Sequence, residues 1–243
     1  MDRRGRASVA TFFVEECPAP GAAVPLSDAA VQHARVRRLA AGDAVRLTDG
    51  AGTVAWGALG DVGGRRVEVR VERTEFLPAP PRLVLVVPVA DRDRMLWLAE
   101  KAAEFAVTEW RPVLFERSRS VSPRGEGEGF ARKVRLRMTG ALEQSGGAWL
   151  PAAHDAVALE DAVAACAAVP SRLVLDPEGP PMPTLAPFGD VAVAVGPEGG
   201  VEPAEREFLL AAGWRAASLG ATILRFETAG VAAAAIVRAT QGR

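Results

Sequence analysis

The stretch Val191-Ala-Val-Ala-Val-Gly196-Pro197-Glu198-Gly199-Gly200 decides the class of fold. Its first five residues are an unbroken apolar run that ends in a glycine turn, as expected of a strand buried on both faces of a parallel sheet. Glycines at such a turn tolerate positive φ and let a ligand approach the backbone. In open α/β sheets, ligands sit at the carboxyl ends of strands. A dinucleotide fingerprint is disfavoured, because the spacing fails G-x-G-x-x-G and residues 196–243 are few for a Rossmann domain that begins there.

Two further segments have the same form. Leu173-Val-Leu-Asp176-Pro177-Glu178-Gly179 is again an apolar strand that ends in polar residues and glycine. Leu219-Gly220-Ala-Thr-Ile223-Leu224-Arg225-Phe226-Glu227-Thr228-Ala229 is a glycine loop running into an apolar helix. Glu227 suits a helix N-terminus on dipole grounds. Arg225 stands among Ile223, Leu224 and Phe226, where an unpaired charge would be costly if buried. Three strand-end loops in the last third of the chain imply one shared pocket.

Upstream the alternation continues. Strands are expected at 83–87, 110–115 and 172–175, and helices at 91–105, 129–144, 203–212 and 227–240. Strand–helix alternation implies an α/β domain with right-handed crossovers. Ser122-Pro-Arg-Gly-Glu-Gly-Glu-Gly129 reads as a mobile loop. Before about Pro78 the pattern is different: strands at 9–14, 44–48, 53–59 and 66–75 separated by glycine turns, with one helix over 27–39, suggest a small β-barrel. Leu77-Pro78-Ala79-Pro80-Pro81 is a stiff connector. The expected domains are therefore 1–76 and 77–243.

Composition narrows the class. The 243 residues are 49% hydrophobic and 24% charged with a net charge of −1, an ordinary globular balance. No apolar run reaches the roughly 18 residues that cross a bilayer, and no h-region follows the charged N-terminus. Cys17 and Cys166 are far apart, which suggests reduced thiols in a cytoplasm. With only His33 and His154 beside them, no metal site can be built from sequence-local ligands. Charge position says more: 111–137 holds eight basic residues against three acidic, a candidate polyanion face.

These motifs together resemble the RsmE family, bacterial 16S ribosomal RNA uridine-N3 methyltransferases of the SPOUT superfamily. Gly196–Gly200 with Leu219–Ala229 match its GPEGG and LG-x-x-ILR-x-ETA blocks. Lys101-Ala-Ala-Glu104, Val107-Thr108, Pro112 and Glu116-Arg117-Ser118 resemble its K-x-x-E…V-T…P…ERS block, and Glu143-Gln144-Ser145-Gly146 its EQSG block. His33-x-x-Val36-x-Arg38, Gly42-Asp43 and Asp49-Gly50 resemble its PUA-like barrel pattern. The chain departs from the family at Phe105-Ala106, Gly147, Thr222 and Phe226.

The resemblance implies a C-terminal α/β trefoil-knot domain that binds S-adenosylmethionine, and an N-terminal PUA-like β-barrel that binds RNA. Cofactor contacts would come from Leu175, Asp176, Glu178 and Gly179; from Val195, Gly196, Pro197, Glu198, Gly199 and Gly200; and from Leu219, Gly220, Ile223, Leu224 and Arg225. Arg225 would stabilise the developing uridine anion, with Glu198 or Glu227 as base. RNA would meet Arg35, Arg37, Arg38, Lys101, Arg117, Arg119 and Gln144. The resemblance further implies a cytoplasmic homodimer without metal, whose partner is 16S RNA or the small ribosomal subunit. A weak or inactive knot protein serving as an RNA-binding module, or a methyltransferase for another nucleotide, are the alternative readings.

Overall fold

The computed structural model describes residues 9–62, 66–118, 123–185 and 189–241. Its contacts divide the chain into two compact units: one holds the chain up to Ala79 together with Thr139–Leu150, and the other holds Pro80–Met138 and Pro151–Arg243. The connector at 77–81 falls at this division. The return of Thr139–Leu150 to the first unit has no counterpart in the sequence pattern.

In the first unit, β1 (Ala10–Phe13), β2 (Ala23–Pro25), α1 (Asp28–Val36), β3 (Ala44–Thr48), β4 (Thr53–Leu59) and β5 (Glu68–Phe76) form a five-stranded sheet, order β1-β3-β4-β5-β2, flanked by the helix. The pairs are antiparallel except β1 with β3. Val67, Val69 and Val71 are buried against Phe12, Val45, Leu47 and Ala34, which turns the alternation of 66–75 into one apolar face. Ser27 Oγ accepts from the Ala30 N–H at 3.2 Å and starts α1. Thr139–Leu150 joins this unit by polar contacts: Glu143 Oε1 accepts from the Phe13 N–H at 2.8 Å, and the Gly147 carbonyl accepts from Arg46 at 3.0 Å. Gly52, at φ +99°, lies so close to the Trp149 ring that a Cβ there would be 2.4 Å from it.

The second unit runs β6 (Leu83–Pro88), α2 (Arg92–Glu104), β7 (Glu109–Val113), α3 (Glu128–Ser145, to Met138 in this unit), β8 (Ala152–Ala153), α4 (Leu159–Ala165), β9 (Ser171–Leu175), β10 (Val191–Ala194), α5 (Pro203–Ala211), β11 (Arg215–Ala217) and α6 (Phe226–Gln241). Its six strands are all parallel, in the order β11-β9-β10-β6-β7-β8. Every residue of β6 and β10 is buried, as their apolar runs require. Val84, Val86, Ala192 and Ala194 pack under α4 and α5 with Leu159, Val163 and Leu209. The expected loop at 122–129 is not loose where it is described: the Gly125 N–H donates to the Ala90 carbonyl at 3.0 Å, and a Cβ on Gly125 would strike Met95 and Phe130. Ser122 lies outside the described residues.

The end of α2 departs from its expected glycine. Ala106 sits at φ +52° with its N–H bonded to the Ala103 carbonyl and that of Val107 to Ala102, a Schellman closure in which glycine is favoured. Arg238 of α6 donates to the Phe105 and Ala106 carbonyls and holds the turn in place. An L-residue in this region costs about 1–2 kcal/mol, partly offset by the unfolded-state entropy of glycine. Ala106→Gly should therefore stabilise the protein by about 0.5–1 kcal/mol, seen as a higher midpoint in urea at unchanged slope.

Candidate functional site

Because β9, β10 and β11 are neighbours, the loops that leave their carboxyl ends meet. They enclose a pocket of about 310 Å³, within the size range of small-molecule sites. Of the expected residues, Leu175, Asp176 and Glu178 line it from β9; Val195, Gly196, Pro197, Glu198 and Gly200 from β10; and Leu219, Gly220, Ile223 and Leu224 from β11. Val174, Pro177, Val201, Arg206, Thr222, Phe226 and Ala229 line it as well.

Three expected cofactor residues are not among the lining residues. Gly179 is packed against the β11 backbone, where a Cβ would come within 2.6 Å of the Ala217 nitrogen. The Gly199 carbonyl accepts a hydrogen bond from Arg117 Nη1. Arg225 is exposed in front of α6, and its carbonyl accepts from the Ala229 N–H at 2.8 Å. The desolvation expected for Arg225 does not arise, because its neighbour Ile223 is itself 89% exposed.

The glutamates are organised by an arginine that the motifs do not reveal. Arg94, in the first turn of α2, places Nη1 2.6 Å from Glu198 Oε1 and Nε 4.0 Å from Glu227 Oε1. Glu227 is buried, lies outside the pocket lining, and its Oε2 has no hydrogen-bond partner among the described residues. Glu198 is thus the candidate base that reaches the pocket, and Glu227 belongs to the junction of α2 with α6.

Arg117, expected to meet RNA, is engaged inside its own unit. Its Nε donates to Glu202 Oε1 at 2.6 Å, while the Glu116 N–H donates to Glu205 Oε1 at 2.8 Å. Glu205 Oε2 in turn accepts from the Glu202 N–H in a capping box. This lattice fixes the glycine turn to the start of α5. Lys101 is likewise paired, with Glu100 at 2.9 Å and Glu104 at 2.6 Å. In the first unit, Arg35, Arg37, Arg38 and Gln144 are exposed, Arg35 donating to the Val62 carbonyl. Arg119 lies outside the described residues.

One wall of the pocket carries an ion pair. Arg206 Nε donates to Asp176 Oδ2 at 2.5 Å, and the Glu178 N–H donates to Asp176 Oδ1 at 2.9 Å. Burial by itself would raise the Asp176 carboxyl, but these two donors outweigh it and hold it below the usual carboxylate range. The histidines take no part. His33 packs edge-on against Phe12 in the first unit, and His154 lies 3.4 Å from Glu109 at the amino end of β7.

Comparison with known proteins agrees with this geometry. Residues 78–238 match the model of an RNA methyltransferase domain, and residues 26–72 that of an RNA methyltransferase PUA domain. A ribosomal RNA small subunit methyltransferase E of Mycobacterium bovis is 30% identical over 237 residues, covering 91% of this chain and 88% of the relative. A Synechocystis protein of the same name is 28% identical, covering 84% and 69%. The crystal structure of a ribosomal RNA small subunit methyltransferase E from Neisseria gonorrhoeae, bound to S-adenosylmethionine, superposes with a TM-score of 0.83 at 26% identity, covering 96% and 98%. The architecture is a PUA-like sheet unit with a parallel-sheet α/β domain of the SPOUT methyltransferase type. By the extent of these matches, the chain belongs to the ribosomal RNA small subunit methyltransferase E family of RNA methyltransferases.

Proposed function

We propose that this protein transfers a methyl group from S-adenosylmethionine to N3 of a uridine in 16S ribosomal RNA. The observation that carries the reading is the convergence of the three strand-end loops on one pocket, apolar on part of its wall and lined elsewhere by Asp176, Glu178 and Glu198 with Arg206 and Thr222. Those residues fit the cofactor: Val195, Leu219, Ile223 and Leu224 offer apolar surface to a purine, and Asp176, Glu178 and Glu198 suit a ligand that bears a cation and hydroxyls. When bound, the cofactor supplies an electrophilic methyl group on a sulfonium.

The chain's own part is orientation and charge. Holding both reactants in line supplies much of the rate in such a transfer. Uridine N3 carries an imide proton, so the pocket must remove it or stabilise the anion. Glu198 is the base within reach, and its Arg94 partner fixes where its carboxylate stands. Arg225, exposed beside the lining residues Leu224 and Phe226, supplies positive charge to the developing anion. Arg35, Arg37 and Arg38 supply phosphate contacts from the PUA-like unit. A pocket that keeps its acids and open volume favours turnover over passive RNA binding, despite Thr222 and Phe226.

The same reading makes the protein a homodimer, supported by the exposure of Ile223 on a pocket loop, and makes it cytoplasmic, where small subunits assemble. Among the described residues no helix is long and apolar enough to cross a membrane. The test uses small subunits and free 16S RNA, both lacking the modification, with methyl-labelled S-adenosylmethionine. Label on one uridine, with a reverse-transcription stop because N3 lies on the pairing edge, supports the proposal. Label on another base overturns the nucleotide, and transfer to neither RNA overturns the function.

A further inference from the structure

Asp176 is the first residue beyond β9, and β9 is the neighbour of β10, the strand that carries the glycine turn. An acid at the carboxyl end of the strand beside a glycine-loop strand is placed to accept from ribose hydroxyls of a bound nucleoside, as in doubly wound nucleotide-binding sheets. Here the acid has a second feature. Its side chain is 12% exposed, lines the pocket, and is locked by one donor on each oxygen: the Glu178 N–H on Oδ1 and Arg206 Nε on Oδ2. Each carboxylate oxygen has two lone pairs, so one on each remains to accept. Arg206 reaches across 30 positions of sequence from α5 to make this contact. It is a lining residue whose guanidinium hydrogen-bonds Asp176 and feels the charge of Glu178 beside it.

We infer that Asp176, positioned by Arg206, accepts the ribose hydroxyls of the bound cofactor and makes the pocket selective for a riboside over a deoxyriboside. The inference rests on the proposed function, since it needs an adenosyl ligand in this pocket. A fixed, acceptor-only carboxylate has no use for a sugar without hydroxyls, and a site built to bond a hydroxyl rejects the analogue that lacks it. Arg206 is a positioning residue in this scheme. Without it, the carboxylate stays in the wall but is free to turn away.

The experiment is titration calorimetry of the full chain with S-adenosylhomocysteine and with its 2′-deoxy analogue. The native protein should prefer the riboside by about tenfold or more, the scale of one hydrogen bond to a charged group. Asp176→Ala should bring the two affinities to within about twofold, mainly by weakening the riboside. Arg206→Met, a change at a side chain already 38% exposed and therefore tolerated by the fold, should lower the preference to an intermediate value. A purely structural role would weaken both ligands alike and leave their ratio unmoved. An unchanged ratio in Asp176→Ala, or equal affinities in the native protein, overturns the inference while leaving the cofactor assignment standing. Failure of the native protein to bind either ligand overturns the cofactor assignment and this inference with it.

Discussion

Replacing Arg225 by alanine should lower methyl transfer to ribosomal RNA by about 10²–10³-fold, the usual loss when one preorganised charge is removed from a developing anion. Cofactor affinity should change by no more than about threefold, because Arg225 is not among the pocket-lining residues. The backbone role of the position survives the change, since the carbonyl that accepts from Ala229 is common to every residue. What is lost is a positive charge with no ion-pair partner among the described residues, one position from Leu224 on one side and Phe226 on the other. Single-turnover rates with the cofactor saturating would isolate this effect. Near-native turnover in Arg225→Ala would remove the residue from the mechanism.

Arg94→Met should act on both folding and binding. Arg94 is the shared cation of Glu198 and Glu227, and Glu227 is 8% exposed with one carboxylate oxygen that has no hydrogen-bond partner among the described residues. Stripping the partner from a buried charge costs about 3–5 kcal/mol; with Arg94 itself about a third exposed, about 2 kcal/mol is expected here. The same change frees Glu198 from the position its ion pair gives it, so cofactor affinity should fall by about tenfold as the turn at 196–200 loosens. Adding Glu227→Gln to Arg94→Met should recover part of the stability, because the uncompensated charge is gone, and none of the affinity, because the Glu198 contact is still missing. Urea denaturation and calorimetry on the same two variants separate the two effects. Equal losses of stability in the single and double variants would contradict the assigned role of Glu227.

The strands that matter most were readable because their chemistry is local. The apolar runs at 83–87 and 191–195 sit in the middle of the sheet, and the glycine turn after 195 opens on the pocket. Gly213, directly after the helix expected over 203–212, adopts φ +83° at the close of α5. β11 was not readable, since Arg215-Ala-Ala carries no pattern and becomes a strand only by pairing with β9. Arg94 and Arg206 escaped for a similar reason. Their meaning lies in partners 104 and 30 positions away, and neither stands in a motif. Arg117 was legible as important but not in kind: in sequence it reads as an RNA contact, and in space it braces Gly199 and Glu202. For Arg225 the apolar neighbours misled, because Ile223 is exposed and does not shield it.

The most direct test of the central claim is titration of the purified 243-residue chain with S-adenosylmethionine by calorimetry. One site per chain with micromolar affinity, competed by S-adenosylhomocysteine and weakened in Arg94→Met, is the predicted result. Absence of binding, both alone and with small-subunit RNA present, would contradict the assignment of the strand-end pocket and the activity built on it.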